Sequence, residues 1–436
     1  MTVGEVRSAL DLSRAGREMS ALVGELYPIC RSITGDGVRE TLRRVAAHAD
    51  LKLHEVPSGT PVFDWTVPRE WNIRDAYVKN ARGERVIDFK ASSLHVVSYS
   101  TPVKTRLSLT ELKQHVFTLP DHPEWIPYRT SYYRESWGFC ASHRLMEGLE
   151  DGEYEVCVDS SLAPGSLSYG ESYLRGATED EVLISCHVCH PSLANDNLSG
   201  IAVAAFLAGL LAKASLRYSY RLLFIPGTIG SITWLATNEA AVPRIRHGLV
   251  LACVGDGGEP TYKKSRRGDA EIDRAVRLTL KERAGGHRIE DFTPYGYDER
   301  QFCSPGFDLP VGCLMRTPHG RFPEYHTSGD NLELVRPEAL ADSLGTCLAV
   351  LDVLESNRVY VNQSPKGEPQ LGKRGLYGPV GGLASAGRDE VTMLWVLNLS
   401  DGRHSLLDIA ERSGCSFGAV KTAAGALEGA GLLREA

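Results

Sequence analysis

The sequence predicts an α/β protein built on a mostly parallel, helix-covered sheet, and three observations carry that prediction. Short apolar runs recur at Glu181–Cys186, Arg221–Ile225, Leu249–Val254 and Leu309–Leu314. They are apolar nearly throughout, as strands covered on both faces are. Helix-type segments stand between them, the first with Ile201, Ala204, Phe206, Leu207, Leu210 and Leu211 on its core face, and such alternation makes crossover units.

Taken in chain order, four zones emerge. Residues 1–56 read as amphipathic helices, Arg14–Ile29 and Gly37–Ala49. From 57 to 165 the pattern turns to short β-like stretches rich in Trp, Tyr, Pro and His, among them Val62–Val67, Leu94–Ser98 and Tyr154–Val158. Turn signals separate them, which predicts a β-rich inserted domain. The α/β domain is then discontinuous, 1–56 plus 166–362, with Asn197 and Ser199 as helix caps. A Pro- and Gly-rich linker spans 363–387. The last zone, 388–436, reads as helices capped by Ser405 and Ser416, with a closing LLREA that begins a wing.

With 436 residues, two or three domains are expected, and 42% hydrophobic with 24% charged residues excludes extensive disorder. A net charge of -7 without long blocks of one sign leaves no footprint for nucleic acid or anionic membrane. No targeting segment is predicted, and the longest apolar run, Ile201–Leu211, is too short to cross a bilayer. Ten scattered cysteines, several inside apolar runs, read as free buried thiols, so a reducing cytoplasm is expected.

The C-terminal helices have the pattern of a winged helix, a fold often used on DNA. Between Arg388 and Ala436, however, five basic residues face seven acidic ones. The would-be recognition helix carries only Lys421, so phosphate neutralisation would be feeble. A packing module, or a homo-oligomer contact, is the expectation.

The densest chemical signal is Ser185–Gly200, SCHVCHPSLANDNLSG, at the end of a strand and the start of a helix. Carboxyl ends of parallel strands are where such sheets gather their sites. Imidazoles and a carboxylate there, joined by a later histidine, suit zinc, which needs firm ligands and one open position for water. The literal C-x-x-C-H at Cys186–His190 matches covalent haem attachment, excluded by the missing export signal and the lack of a second-ligand region. A structural zinc site on Cys186 and Cys189 would need a second cysteine pair at suitable spacing, and none is present.

Asn195-Asp196-Asn197-Leu198-Ser199-Gly200 resembles the A-N-D-N-x-S-G segment of the two-zinc aminopeptidases. The resemblance implies a mixed, mostly parallel sheet of the zinc-aminopeptidase type, and one or two zinc ions. It makes Asp196 a metal-bridging residue, His187 the first histidine ligand, and His326, in Tyr325-His326-Thr327-Ser328, the late ligand. Asp256 is a weaker match to a further carboxylate ligand. A closer resemblance is to bacterial aminopeptidase-like proteins with an inserted small domain and a C-terminal winged helix. It rests on Trp65–Ile73, Tyr297–Gly306, Glu324–Asn331 and Pro365–Gly378, and covers nearly the whole chain. It implies hydrolysis of an amide bond in a small or short-peptide substrate, in antibiotic or surface-polysaccharide biosynthesis.

Two departures qualify that chemistry. Where aminopeptidases carry a Glu-Glu pair, one ligand and one general base, this chain reads Ile225–Ser231 without a carboxylate. Cys189 replaces the aspartate of the family's H-x-D motif. His190 is a candidate replacement ligand, and Asp298, Glu299 or Glu324 a candidate replacement base. Each has a plainer alternative: Asp196 as a turn and cap residue, His190 as a packed imidazole, Asp256 as a turn residue in GDGG. Asp298 and Arg300 are candidates to bind a substrate amine or carboxylate, or else form a surface ion-pair turn. Tyr133 and Arg134, in an aromatic and basic run with Arg129, Tyr132 and Trp137, either shape a substrate pocket or belong to the inserted domain's own core and surface. A member that binds metal or ligand without turnover is the rival function.

Overall fold

The computed structural model describes residues 1–376 and 388–436. Its main sheet has eight strands: β1 (Lys52–Pro57), β2 (Ser166–Leu174), β3 (Glu181–His187), β4 (Ser219–Ile225), β5 (Ile245–Leu251), β6 (Thr261–Lys263), β7 (Arg288–Glu290) and β8 (Val311–Met315). They lie in the order β1-β2-β4-β3-β5-β8-β6-β7. The centre, β4-β3-β5-β8, is parallel, and β3 and β4 are buried along their whole length. Continuously apolar runs are therefore the centre of the sheet. The flanks are not parallel throughout: β1 on β2, β2 on β4 and β6 on β8 run antiparallel. The sheet is mixed.

Alternate side chains of each central strand enter opposite cores. Val182, Ile184 and Cys186 of β3 join Tyr220, Leu222 and Phe224 of β4 under a helical layer that includes Leu12–Leu26, Gly200–Leu211 and Pro337–Ser356. Leu183, Leu223 and Val250 point to the other face, packed with Trp234, Phe302 and apolar residues of the 57–165 region. Helix Gly200–Leu211 is buried nearly all round, consistent with its lack of a polar face. Ala194–Leu211 is apolar and long enough for a membrane span, yet 83% of it is buried inside the fold.

Several local expectations shift. Residues 52–57 are a sheet strand rather than helix, and Leu94 lies in a single helical turn, Ser93–His95. β5 ends at Leu251, three residues earlier than its apolar run, because Cys253 turns to φ 50°. Asn197 caps the following helix through Oδ1, which accepts from Gly200 N (3.2 Å). Ser199 does not cap: its hydroxyl donates to Asn195 O (2.7 Å) and accepts from Val254 N (3.0 Å). The 57–165 region holds an antiparallel four-stranded sheet in the order Arg85–Asp88, Glu70–Lys79, Glu153–Ala163, Val103–Ser108.

At the C-terminus, helices Arg388–Leu399, Leu406–Ser413 and Phe417–Gly429 accompany a three-stranded sheet. Its central strand, Val359–Asn362, precedes the linker and pairs with Asp401–Ser405 and Leu433–Glu435. Most of the linker's second half, 377–387, with the last residues of the Pro365–Gly378 stretch, lies outside the described residues. The helical unit sits on the α/β domain through ion pairs of Arg274 with Asp408 and Glu411 (both 2.5 Å), Arg277 with Glu411 (2.8 Å) and Lys421 with Asp352 (2.8 Å).

Candidate metal centre

His187 is the last residue of β3 and pairs in register with Ile225, the last of β4. Both strands thus deliver their following loops to one point. Residues 194–199 then turn irregularly before the helix, with Asp196 at φ -109°, ψ 82°. Asp330 holds this turn from outside: its Oδ1 accepts from Asn195 N (2.6 Å) and its Oδ2 from Asp196 N (2.9 Å). Burial pushes the Asp330 carboxyl up to about 8 against the pull of these backbone donors.

Asp196, fully buried, is the centre of the cluster. His187 Nε2 lies 2.8 Å from its Oδ1 and His326 Nε2 lies 3.0 Å from its Oδ2. His190 Nδ1 stands 3.7 Å from Oδ1 and makes no hydrogen bond among the described residues. The potential ligand atoms of His187, His190 and Asp196 lie within 4.8 Å of one another. Burial opposes the charge on Asp196, but His190, His187 and His326 together hold its carboxyl well below the usual range. Burial also lowers His190 to about 3, keeping it a neutral imidazole with a free lone pair. His187 Nδ1 faces the Asn197 amide nitrogen at 3.4 Å, which fits Nε2 as the atom turned toward Asp196.

The sequence left several braces unseen. Tyr128, from the inserted region, sets its ring edge-on to both His190 and His326, at 5.2 Å from each. Its backbone N donates to His326 O (2.8 Å), and its hydroxyl meets that of Tyr132 at 2.7 Å. Arg31, fully buried, donates Nε–H to His190 O (3.0 Å). Tyr297 stacks on His187 at 4.8 Å, and Tyr325 on His326 at 4.0 Å. The aromatic-basic run beginning at Arg129 was the nearest signal for Tyr128; nothing local marked Arg31.

The other candidates fall in different places. Asp256 stands behind the cluster, saturated by four donors: Asn195 Nδ2 (3.0 Å), Gly258 N (2.6 Å), Thr317 N (3.1 Å) and Thr317 Oγ1 (2.7 Å). It braces the Asn195 loop and has no oxygen spare for a metal, which corrects its nomination as a ligand. Glu299 is fully buried and ion-paired with Lys263, itself buried. Glu324 is half-buried, its Cγ beside Gly329, which also faces Trp125. Asp298 is buried beside Ser231, whose hydroxyl donates to Oδ1 (2.8 Å), while burial raises its carboxyl to about 6. Arg300 follows on the short helix Glu299–Phe302, half-buried. Tyr133 and Arg134 are exposed and line a shallow pocket with Arg69, Tyr99 and Tyr132. Trp65 adjoins Tyr133, ring centres 5.1 Å apart.

Comparison with known proteins agrees with this architecture. A zinc aminopeptidase of Bacillus subtilis superposes with TM-score 0.57 at 13% identity, over 77% of this chain and 94% of that one, a likeness of fold. A crystal structure from Clostridium acetobutylicum superposes with TM-score 0.94 at 52% identity, over 98% of each chain. A curated protein of that organism is 53% identical over 97% of each chain, and its name combines polysaccharide biosynthesis with an aminopeptidase-like domain. Residues 358–435 match a winged helix-turn-helix family. Residues 20–357 match a family described as a domain of unknown function, DUF4910. An aminopeptidase-like α/β core, interrupted by a β-rich region and closed by a winged helix, thus belongs to the DUF4910 family.

Proposed function

We propose that this protein is a metal-dependent hydrolase of an amide bond, holding zinc through His187, Asp196 and His326, with His190 as a further ligand. The observation that carries the reading is the convergence of three imidazoles on the buried carboxylate of Asp196. The donor set fits a borderline divalent cation, and the orphaned His190 Nδ1 is a buried lone pair in want of one. A bound zinc ion would polarise a substrate carbonyl and make its water acidic.

The chain's own residues hold the frame. Asp330 and Asp256 fix the turn that presents Asp196, and Arg31 fixes the backbone of His190. Tyr128 packs edge-on against both His190 and His326 from the inserted region's side. Tyr132 extends that wall outward to Tyr133, where a substrate would enter. The substrate class is a small metabolite bearing an aminoacyl or N-acyl group. The relative's name, with polysaccharide biosynthesis in it, supports N-acylated amino sugars beside short peptides. Ten cysteines, all free, suit a reducing cytoplasm. The winged helix serves packing or self-association, not nucleic acid.

A second reading, binding without turnover, is favoured by one observation: Gly227 offers no side chain where aminopeptidases place a carboxylate. The test is amine release from zinc-loaded protein offered leucine anilide, N-acetylated amino acids and N-acetylated amino sugars. Chelator-sensitive release from one of them, lost in Asp196→Asn, is expected. No release from any of them would favour the binding reading.

A further inference from the structure

We propose that Asp298 is the proton-accepting carboxylate of this site, entering from a different chain segment into the space that Gly227 leaves open. The inference rests on the hydrolase reading above and supplies the group that reading lacks.

Three observations carry it. A Cβ built on Gly227 would stand 3.1 Å from His187 Cβ and 3.5 Å from Asp298 Oδ2. A side chain at 227 would thus begin in contact with a carboxylate oxygen and with a candidate metal ligand. Asp298 is 1% exposed, and its Oδ2 has no hydrogen-bond partner among the described residues. A buried oxygen left without a donor is costly, so the group it meets belongs to what the site binds. Finally, Asp298 Oδ1 lies 2.8 Å from Ser231 Oγ, whose single proton is shared between that carboxylate and Thr228 O (2.7 Å). Ser231 lies in the first turn of the helix Ile229–Thr237 that follows Gly227, so the segment that vacates the space also meets its occupant.

The other two carboxylates are placed less well. Glu299 also has an oxygen without a donor, but its Oε1 is paired with Lys263 and lies beside Gly296 rather than Gly227, and Glu324 borders Trp125 and Gly329. With Asp298 as base, water adds to the amide carbonyl carbon while one of its protons passes to Oδ2. The same proton then passes to the departing nitrogen as the C–N bond breaks, giving a carboxylic acid and an amine. Nothing else is consumed.

The experiment uses the full chain loaded with zinc, as wild type, Asp298→Asn and Ser231→Ala, and acetohydroxamic acid as the probe. A hydroxamate binds metal and offers a proton to a neighbouring base, so it reports on the carboxylate without turnover. Zinc content should equal wild type in both variants. Hydroxamate affinity should fall about tenfold or more in Asp298→Asn, as for loss of a charge-assisted hydrogen bond, and less in Ser231→Ala. Any turnover found should fall about a hundredfold or more in Asp298→Asn. Hydroxamate affinity unchanged in Asp298→Asn with zinc retained would remove Asp298 and leave the hydrolase reading standing. Zinc lost in a folded Asp298→Asn would make the residue a ligand and overturn the proposal. Wild type that takes up no zinc would remove the hydrolase reading, and Asp298's role with it.

Discussion

His326 Nε2 lies 3.0 Å from Asp196 Oδ2, a contact between residues 130 positions apart that closes the cluster. His326 takes φ 56° to make it, a left-handed backbone uncommon outside glycine. Its carbonyl is pinned by Tyr128 N, so the inserted region and the α/β core meet at this residue.

Tyr128→Ala should loosen both histidines it packs against while leaving every candidate ligand in the chain. Zinc affinity, measured by competition with a chromophoric chelator, should fall about tenfold or more, as for groups that orient metal ligands. Unchanged affinity would reduce Tyr128 to packing.

The buried pair of Lys263 and Glu299 should reveal itself through stability. Lys263→Met leaves the fully buried Glu299 without its partner and should cost about 3–5 kcal/mol in urea unfolding. Lys263→Met combined with Glu299→Leu should recover most of that loss. A double variant as unstable as the single one would mean that Lys263 acts through its backbone acceptors, Tyr295 O (2.8 Å) and Thr293 O (3.5 Å).

Much of this was legible in the sequence for identifiable reasons. The central strands announced themselves because burial on both faces forces unbroken apolar runs, and Asn195–Gly200 carried a recognisable motif. The antiparallel strands were not visible in the same way. Lys52–Pro57 is largely exposed and follows a helix, and Thr261–Lys263 and Arg288–Glu290 are only three residues long. Asp256 is a weak match to the family's further carboxylate ligand, with a turn residue in GDGG as its plainer reading; its four donors come from segments the sequence does not bring together. Val359–Asn362 reads as the end of the α/β core because its partners, Asp401–Ser405 and Leu433–Glu435, lie beyond the linker. Pairings made at long range leave no local trace.

Thiol labelling should follow burial. Seven cysteines are buried, and burial pushes Cys140, Cys189 and Cys347 up to about 12. At neutral pH in the native protein, mass spectrometry should find Cys157 and Cys415 alkylated first, the buried thiols only after denaturant. Rapid native labelling of Cys189 would show that solvent reaches the His187–Asp196 cluster more freely than the packing allows.

The winged helix should not bind duplex DNA in a salt-sensitive way at physiological ionic strength, since Lys421 of its last helix is paired with Asp352. A gel shift showing tight, sequence-dependent binding would contradict this. Deleting 388–436 should instead alter association or solubility, because Leu407, Val420 and Leu427 pack in the main core cluster and their partners would be uncovered.

The most direct test of the account is the metal content of the full chain purified without chelator, as wild type and as Asp196→Ala. Close to one zinc or similar ion per wild-type chain is expected, and a near-empty site in a folded Asp196→Ala, whose three imidazoles have lost the carboxylate between them. Equal metal in the two proteins, or none in the wild type, would contradict it.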